Sequence, residues 1–315
     1  MSNGKTVRKD VDFLASSEAE ALRKLRDAYA RMMEMPDYRG YNYWAGLHGN
    51  LQGWCWHGPR PLGQSWHPSL RLDYDLWLPW HRAYLLYFEH YLRDLDEDVA
   101  LPWWDWSSEH SLQVGVPEAF SAETVANQPN PLYKARMRST DYVVPDLALE
   151  DQGTRRFPGQ FVTRQLPSIR DRLLLVINSV IGNRDEDRPV SERLITAMRS
   201  IKQFEGTLGF SQTLRNIHDF IHGWTGGEKV EDGRLVGGDM GSQNTSAYDP
   251  IFWSHHCMLD RMWYLWQLEN GVNNIPADHL PVVLQPFGVT VKDALNIEAL
   301  GYEYAVSEVV VGGVR

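Results

Sequence analysis

Cysteine is scarce in this 315-residue chain, which has only Cys55 and Cys257. Two cysteines make no disulfide framework, so the expected setting is a reducing cytoplasm. Positive charge is also in short supply. Thirty-one Lys and Arg stand against 41 Asp and Glu, a formal net charge of −10. That argues against a nucleic-acid partner, which needs a basic face. No apolar run approaches the roughly 18 residues of a membrane span. The start, Met1 to Arg8, is polar and lacks the apolar core of a signal peptide. Internal repeats and linker-like stretches are missing too, so one domain over 1–315 is the simplest organisation. Hydrophobic residues at 43% and charged residues at 23% exclude wholesale disorder.

Tryptophan and histidine are plentiful and unevenly placed. Nine of the 13 tryptophans fall between Trp44 and Trp106. Ten of the 11 histidines form two sets, His48 to His110 and His218 to His256, with His279 apart. Clustered imidazoles beside dense aromatics point to a metal site inside an aromatic-walled core.

Periodicity predicts a mainly helical fold. Leu22, Leu25, Ala28, Tyr29 and Met32 recur at helical spacing, predicting one helix over 16–34 capped by Ser16 or Ser17. Gly and Pro interrupt 36–79, leaving room for a short helix near 41–49. An apolar stripe from Tyr84 to Leu95 predicts a helix from Pro79 to about Asp96. Residues 107–166 read as a long surface excursion. Helices are expected over 170–181, 190–205, 211–224 and from Pro250 to about Asn270. Short β-type runs follow at Val282–Leu284, Val289–Val291 and Val309–Val311.

Four stretches carry chemistry. In His218-Asp219-Phe220-Ile221-His222 the two imidazoles lie four apart and share a helix face. His256 and Asp260 share a face in the same way, so Asp260 is expected to orient the His256 ring. Leu78 to Glu89 places His81 in the first turn of an aromatic-rich helix. His48 to His57 is a Gly- and Trp-rich loop. Each alone has an ordinary reading: a solvated histidine pair, a core histidine, a tryptophan core. His-Asp-x-x-His differs from the zinc-protease helix, which has Glu as its base in the second position.

Taken together, these stretches resemble the tyrosinase, or type 3 copper, family in a short single-domain form. Trp80-His81-Arg82-x-Tyr84-Leu85 with Glu89 looks like the first copper helix. Asp249-Pro250-x-Phe252-Trp253-x-His255-His256-x-x-x-Asp260-Arg261-x-Trp263 looks like the end of the second copper half. Gly226-Gly227, Gly237-Gly238-Asp239-Met240-Gly241 and Tyr302-Glu303-Tyr304 also fit. The likeness runs from about Arg8 to Tyr304.

The resemblance implies a helical bundle holding a dicopper centre, with long loops and a few short strands. The copper A half covers about 41–106, the copper B half about 205–270 and a β-rich tail about 276–315. It implies two copper ions, with O₂ as co-substrate and small phenols as substrates. His48, His57 and His81 would hold CuA, with His67 as the alternative to His57. His218, His222 and His256 would hold CuB. Cys55 stands where some fungal relatives form a thioether to the following histidine. Glu205 resembles a glutamate that holds a water near CuB, and Asp219 follows the first CuB ligand where many monophenol-hydroxylating members carry Asn. These two are the expected proton-handling residues. The activity implied is that of a tyrosinase, with catechol oxidase or o-aminophenol oxidase as close variants. Hemocyanin-like oxygen binding is the rival class; the few residues after Tyr304 leave no shielding domain, which favours an enzyme. A copper-delivery helper protein and the oligomeric state stay open.

Overall fold

A computed structural model describes residues 5–48, 76–138, 160–164, 170–182, 187–231, 234–272 and 274–305. Among them are the helices α1 (Val11–Ser17), α2 (Ala19–Glu34), α3 (Tyr41–His48), α4 (Trp77–Arg93), α5 (Glu109–Val114), α6 (Glu118–Ser121), α7 (Arg170–Ile181), α8 (Val190–Ser200), α9 (Phe210–Gly226) and α10 (Ile251–Asn270). None is long and apolar enough to cross a membrane. The described strands are short and paired two by two, so the fold is the helical bundle expected.

The helix expected over 16–34 is α2, which starts at Ala19, and a separate helix, α1, precedes it. Ser16 and Ser17 do not cap it but end α1, and the N-cap of α2 is Glu18, without a side-chain cap bond; α1 is capped by Asp10, whose Oδ1 accepts from the backbone N–H of Asp12 and Phe13 at 2.8 and 3.1 Å. The chain breaks at Glu18, whose backbone leaves the helical region (φ −133°, ψ 51°). The stripe of α2 is buried as its period requires. Helix α4 begins two residues before Pro79, which still occupies the first turn, where its missing N–H costs nothing. Helix α8 ends at Ser200, five residues short of expectation.

Helix α10 is buried on every side along most of its length, polar residues included, as a central helix must be. It packs against α4 and α8, while α7 lies on α8 and α9. Phe88 of α4 stacks on Trp253 of α10, and Tyr41 and Tyr29 close the same cluster. Residues 107–166 are not simply a surface excursion. Leu112, Phe120, Leu132, Met137 and Val162 are all buried, while 139–159 and 165–166 lie outside the described residues.

The tail shows Val283–Leu284 paired antiparallel with Val289–Thr290; Val309–Val311 lie outside the described residues. Tyr302–Tyr304 pairs in parallel with Thr6–Arg8, a pairing the sequence reading did not anticipate. That ladder delivers Arg8 into the core, fully buried. Its guanidinium donates to Glu89 of α4 at 2.9 Å and reaches Asp260 of α10 at 3.4 Å. Asp260 also accepts from Arg82 Nε at 2.5 Å and from the hydroxyls of Tyr302 and Tyr304 at 2.6 Å each. The two ends of the described chain are thereby tied to α4 and α10.

Candidate metal centre

Four helices bring histidines together. Helix α3 ends on His48, α4 carries His81 in its first turns, α9 carries His218 and His222 one turn apart, and α10 carries the doublet His255-His256. The ligand-capable atoms of His48, His81 and His256 lie within 4.8 Å of one another. So do those of His218, His222, His255 and His256. His256 belongs to both groups.

Four of these rings are held from behind. The Nδ1–H of His81 donates to the carbonyl of Trp77 at 2.7 Å, that of His48 to Gln243 at 2.9 Å and that of His222 to Met240 at 2.8 Å. In each ring this leaves the Nε2 lone pair for a metal. His218 Nδ1 is 2.8 Å from Asp219 Oδ1, a carboxylate in the same orienting position. The Nε2 atoms of His222 and His256 are 3.2 Å apart.

The carbonyl behind His222 depends on two glycines. A Cβ on Gly226 would lie 2.5 Å from the backbone N of Gly241, and one on Gly238 would lie 2.3 Å from the carbonyl O of Gly226. Only hydrogen at both positions lets the turn 239–241 close against α9 and present Met240 O to the ring.

Burial sets the protonation state. It pushes His48 from the usual 6.5 to about 3 and His222 to about 4, with the backbone carbonyls opposing. It also carries His81, His255 and His256 well below 6.5, assisted by neighbouring imidazoles. Neutral imidazoles are the form that binds a metal. The walls are aromatic. Phe252 lies 4.2 Å from His256 and 4.8 Å from His48 between ring centroids, Trp77 5.1 Å from His218, and Trp80 4.9 Å from His81.

Of the residues picked from sequence, His48, His81, His218, His222 and His256 come together here. His57, His67 and Cys55 lie outside the described residues. Asp219 touches His218 and is 3.9 Å from Arg215; burial raises its carboxyl, with Arg215 opposing. Glu205 sits on the loop before α9 with its carboxylate 3.5 Å from His279 Nε2. Asp260 does not serve His256, contrary to expectation. Two arginines and two tyrosines from distant segments take its oxygens. His255 is the residue that sequence reasoning passed over. Its signal was a histidine doublet on a largely apolar helix that is buried on every side.

An all-nitrogen donor set of neutral imidazoles suits copper, so the residues fit the metal the sequence resemblance implies. The family model for the common central domain of tyrosinase matches residues 38–269. The chain belongs to the tyrosinase family. Family members bind two copper ions, the cofactor this histidine set suits. A tyrosinase of Hahella sp. is 26% identical over 81% of this chain and 52% of its own length. Hemocyanin 2 of Megathura crenulata is 28% identical over 85% of this chain and 7% of its own. The chain therefore spans about half or less of these curated relatives. A copper-depleted variant of the active Aspergillus oryzae tyrosinase, complexed with L-tyrosine, superposes with a TM-score of 0.68. It is 21% identical and covers 97% of this chain and 94% of that one; at that identity the likeness speaks for the fold.

Proposed function

We propose that this tyrosinase-family chain is a dicopper oxidase. It uses O₂ to hydroxylate monophenols to o-diphenols and to oxidise o-diphenols to o-quinones. The observation that carries this reading is the pair of buried histidine groups, with the Nδ1 atoms of His48, His81, His218 and His222 anchored from behind. His48, His81 and His57 would hold the first copper, with His67 the alternative to His57. His218, His222 and His256 would hold the second. Bound copper supplies the electron transfer between the phenolic ring and O₂. The protein orients the ligand rings through backbone carbonyls and lines the site with Phe252, Trp77 and Trp80, which keep bulk water out. Asp219 holds the Nδ1 proton of His218, and Glu205 and Asp219 are the acidic groups proposed to take the phenolic proton.

A second reading, oxidation of o-diphenols or o-aminophenols without strong monophenol hydroxylation, is favoured by one contact. Glu205 is engaged with His279 rather than turned wholly to a water. Oxygen uptake by copper-reconstituted protein with monophenol, o-diphenol and o-aminophenol in parallel tests both. Uptake with all three supports the tyrosinase reading, and uptake with only the latter two supports the second. Reversible oxygen binding without turnover of any would refute both and point to a hemocyanin-like carrier.

A further inference from the structure

His255 has no task in the dicopper assignment. Successive residues on a helix point about 100° apart, so one member of a doublet ordinarily faces away from a shared ion. Here both face the α9 histidines. The His255 ring stacks on His218 with 5.5 Å between centroids and 17° between planes. It meets His222 edge-on at 4.8 Å and lies 5.2 Å from His256. It is completely buried, and neither ring nitrogen has a hydrogen-bond partner among the described residues. Buried polar atoms are as a rule paired. An orphaned imidazole packed among three others therefore calls for a partner that the described residues do not provide.

We propose that His255 is a metal ligand that completes, with His218, His222 and His256, a closed four-imidazole cage for one tetrahedral divalent ion of the zinc class. This rests on the metal-binding reading of the same histidines. Metal–nitrogen bonds of about 2.0–2.1 Å give a tetrahedron edge of about 3.3 Å. The 3.2 Å between His222 Nε2 and His256 Nε2 already matches that edge. The remaining ligand atoms lie within 4.8 Å of one another, so closure needs contractions of about 1.5 Å at most, within reach of side-chain rotation. Four imidazoles leave no open coordination position, which makes the caged ion unable to take a substrate. His256 also belongs to the group with His48 and His81. An ion in the cage therefore withdraws a ligand that the copper pair needs, and the two occupancies exclude each other. Copper outcompetes zinc for nitrogen donors, so the cage is a silent state that copper displaces.

The test uses the metal-free full chain and Co²⁺ as a spectroscopic stand-in for zinc. One Co²⁺ per chain with the intense visible bands of a tetrahedral site is expected. His255→Phe keeps a flat ring in the same space; it should bind Co²⁺ at least about tenfold more weakly and lose that intensity. A wild-type spectrum of a five- or six-coordinate ion, or a folded His255→Phe protein with unchanged affinity and bands, would overturn the proposal. Should that variant not fold, X-ray absorption of zinc-loaded wild type decides: four imidazoles on the ion support the cage, and three with a water overturn it. The oxidase reading fails separately, on copper stoichiometry and oxygen uptake, and the Co²⁺ spectrum is independent of both.

Discussion

Replacing Asp260 with Asn would expose how much the fold depends on one buried carboxylate. Asp260 and Glu89 together balance Arg8 and Arg82, and all four side chains are almost wholly buried. Burial by itself would raise the Asp260 carboxyl; Arg82, Arg8 and the two tyrosine hydroxyls outweigh it and hold the group below its usual range. Asn keeps the shape but leaves one positive charge in excess, with no water to solvate it. Breaking a buried pair from one side costs about 3–5 kcal/mol. A chain of this length unfolds with an entropy of roughly 0.7 kcal/mol per kelvin, so Asp260→Asn should lower the melting temperature by about 5–8 °C. Tyr304→Phe removes one hydroxyl that donates to the same carboxylate. It should cost about 1.5–3 kcal/mol, a drop of roughly 2–4 °C. Calorimetry on metal-free protein reads both. Asp260→Asn within a degree of wild type, or no more harmful than Tyr304→Phe, would refute the charge-balance argument.

Acid should unfold the metal-free protein early. His48 and His222 fall from 6.5 to about 3 and 4 on folding, so their neutral forms stabilise the fold above pH 6.5. That stability is lost as pH drops through about 3–4; circular dichroism should show the metal-free protein losing stability below pH 6.5, and two bound coppers should move the loss to lower pH. Asp10 shows the opposite sign: burial first, then Asp105 and Asp12, raise its carboxyl to about 6, so its charged form costs stability above that pH. Asn caps a helix as well as Asp. Asp10→Asn should therefore raise stability at pH 7 by about 1–3 kcal/mol, with the gain gone below pH 4, as urea titrations at the two pH values would show. Gly226→Ala must push the 239–241 turn away and take the Met240 carbonyl off His222. Metal affinity at the second group should fall about 10- to 100-fold in a competition titration while the first group is spared.

Much of the centre was legible because helix geometry is local. The spacing of His218 and His222 needs only one turn of α9 to make a shared face, and the apolar stripe of α2 needs only its own period. What could not be read is what long-range partners take. Spacing put Asp260 on the face of His256, yet its oxygens go to Arg8, Arg82, Tyr302 and Tyr304, and two of these lie more than 170 residues away in sequence. Glu205 meets His279 across a similar gap in kind, set by how the tail crosses the loop before α9. The break at Glu18 was missed because α1 and α2 each satisfy a helical pattern, and only the Asp10 cap reveals that a first helix begins at Val11.

The parallel pairing of Thr6–Arg8 with Tyr302–Tyr304 has a consequence for the order of folding. Its two strands are almost 300 residues apart, so closing that loop carries a large entropic cost and belongs late. Until then Arg8 has no lasting reason to leave water, because its cage of Glu89, Asp260, Tyr302 and Tyr304 is incomplete. During synthesis α4 and α10 can meet while the chain near Tyr304 is still being made, with Arg82 and Asp260 already joined. The last strand then arrives as a clasp, drawing the first strand in beside it and burying a charge that had waited outside.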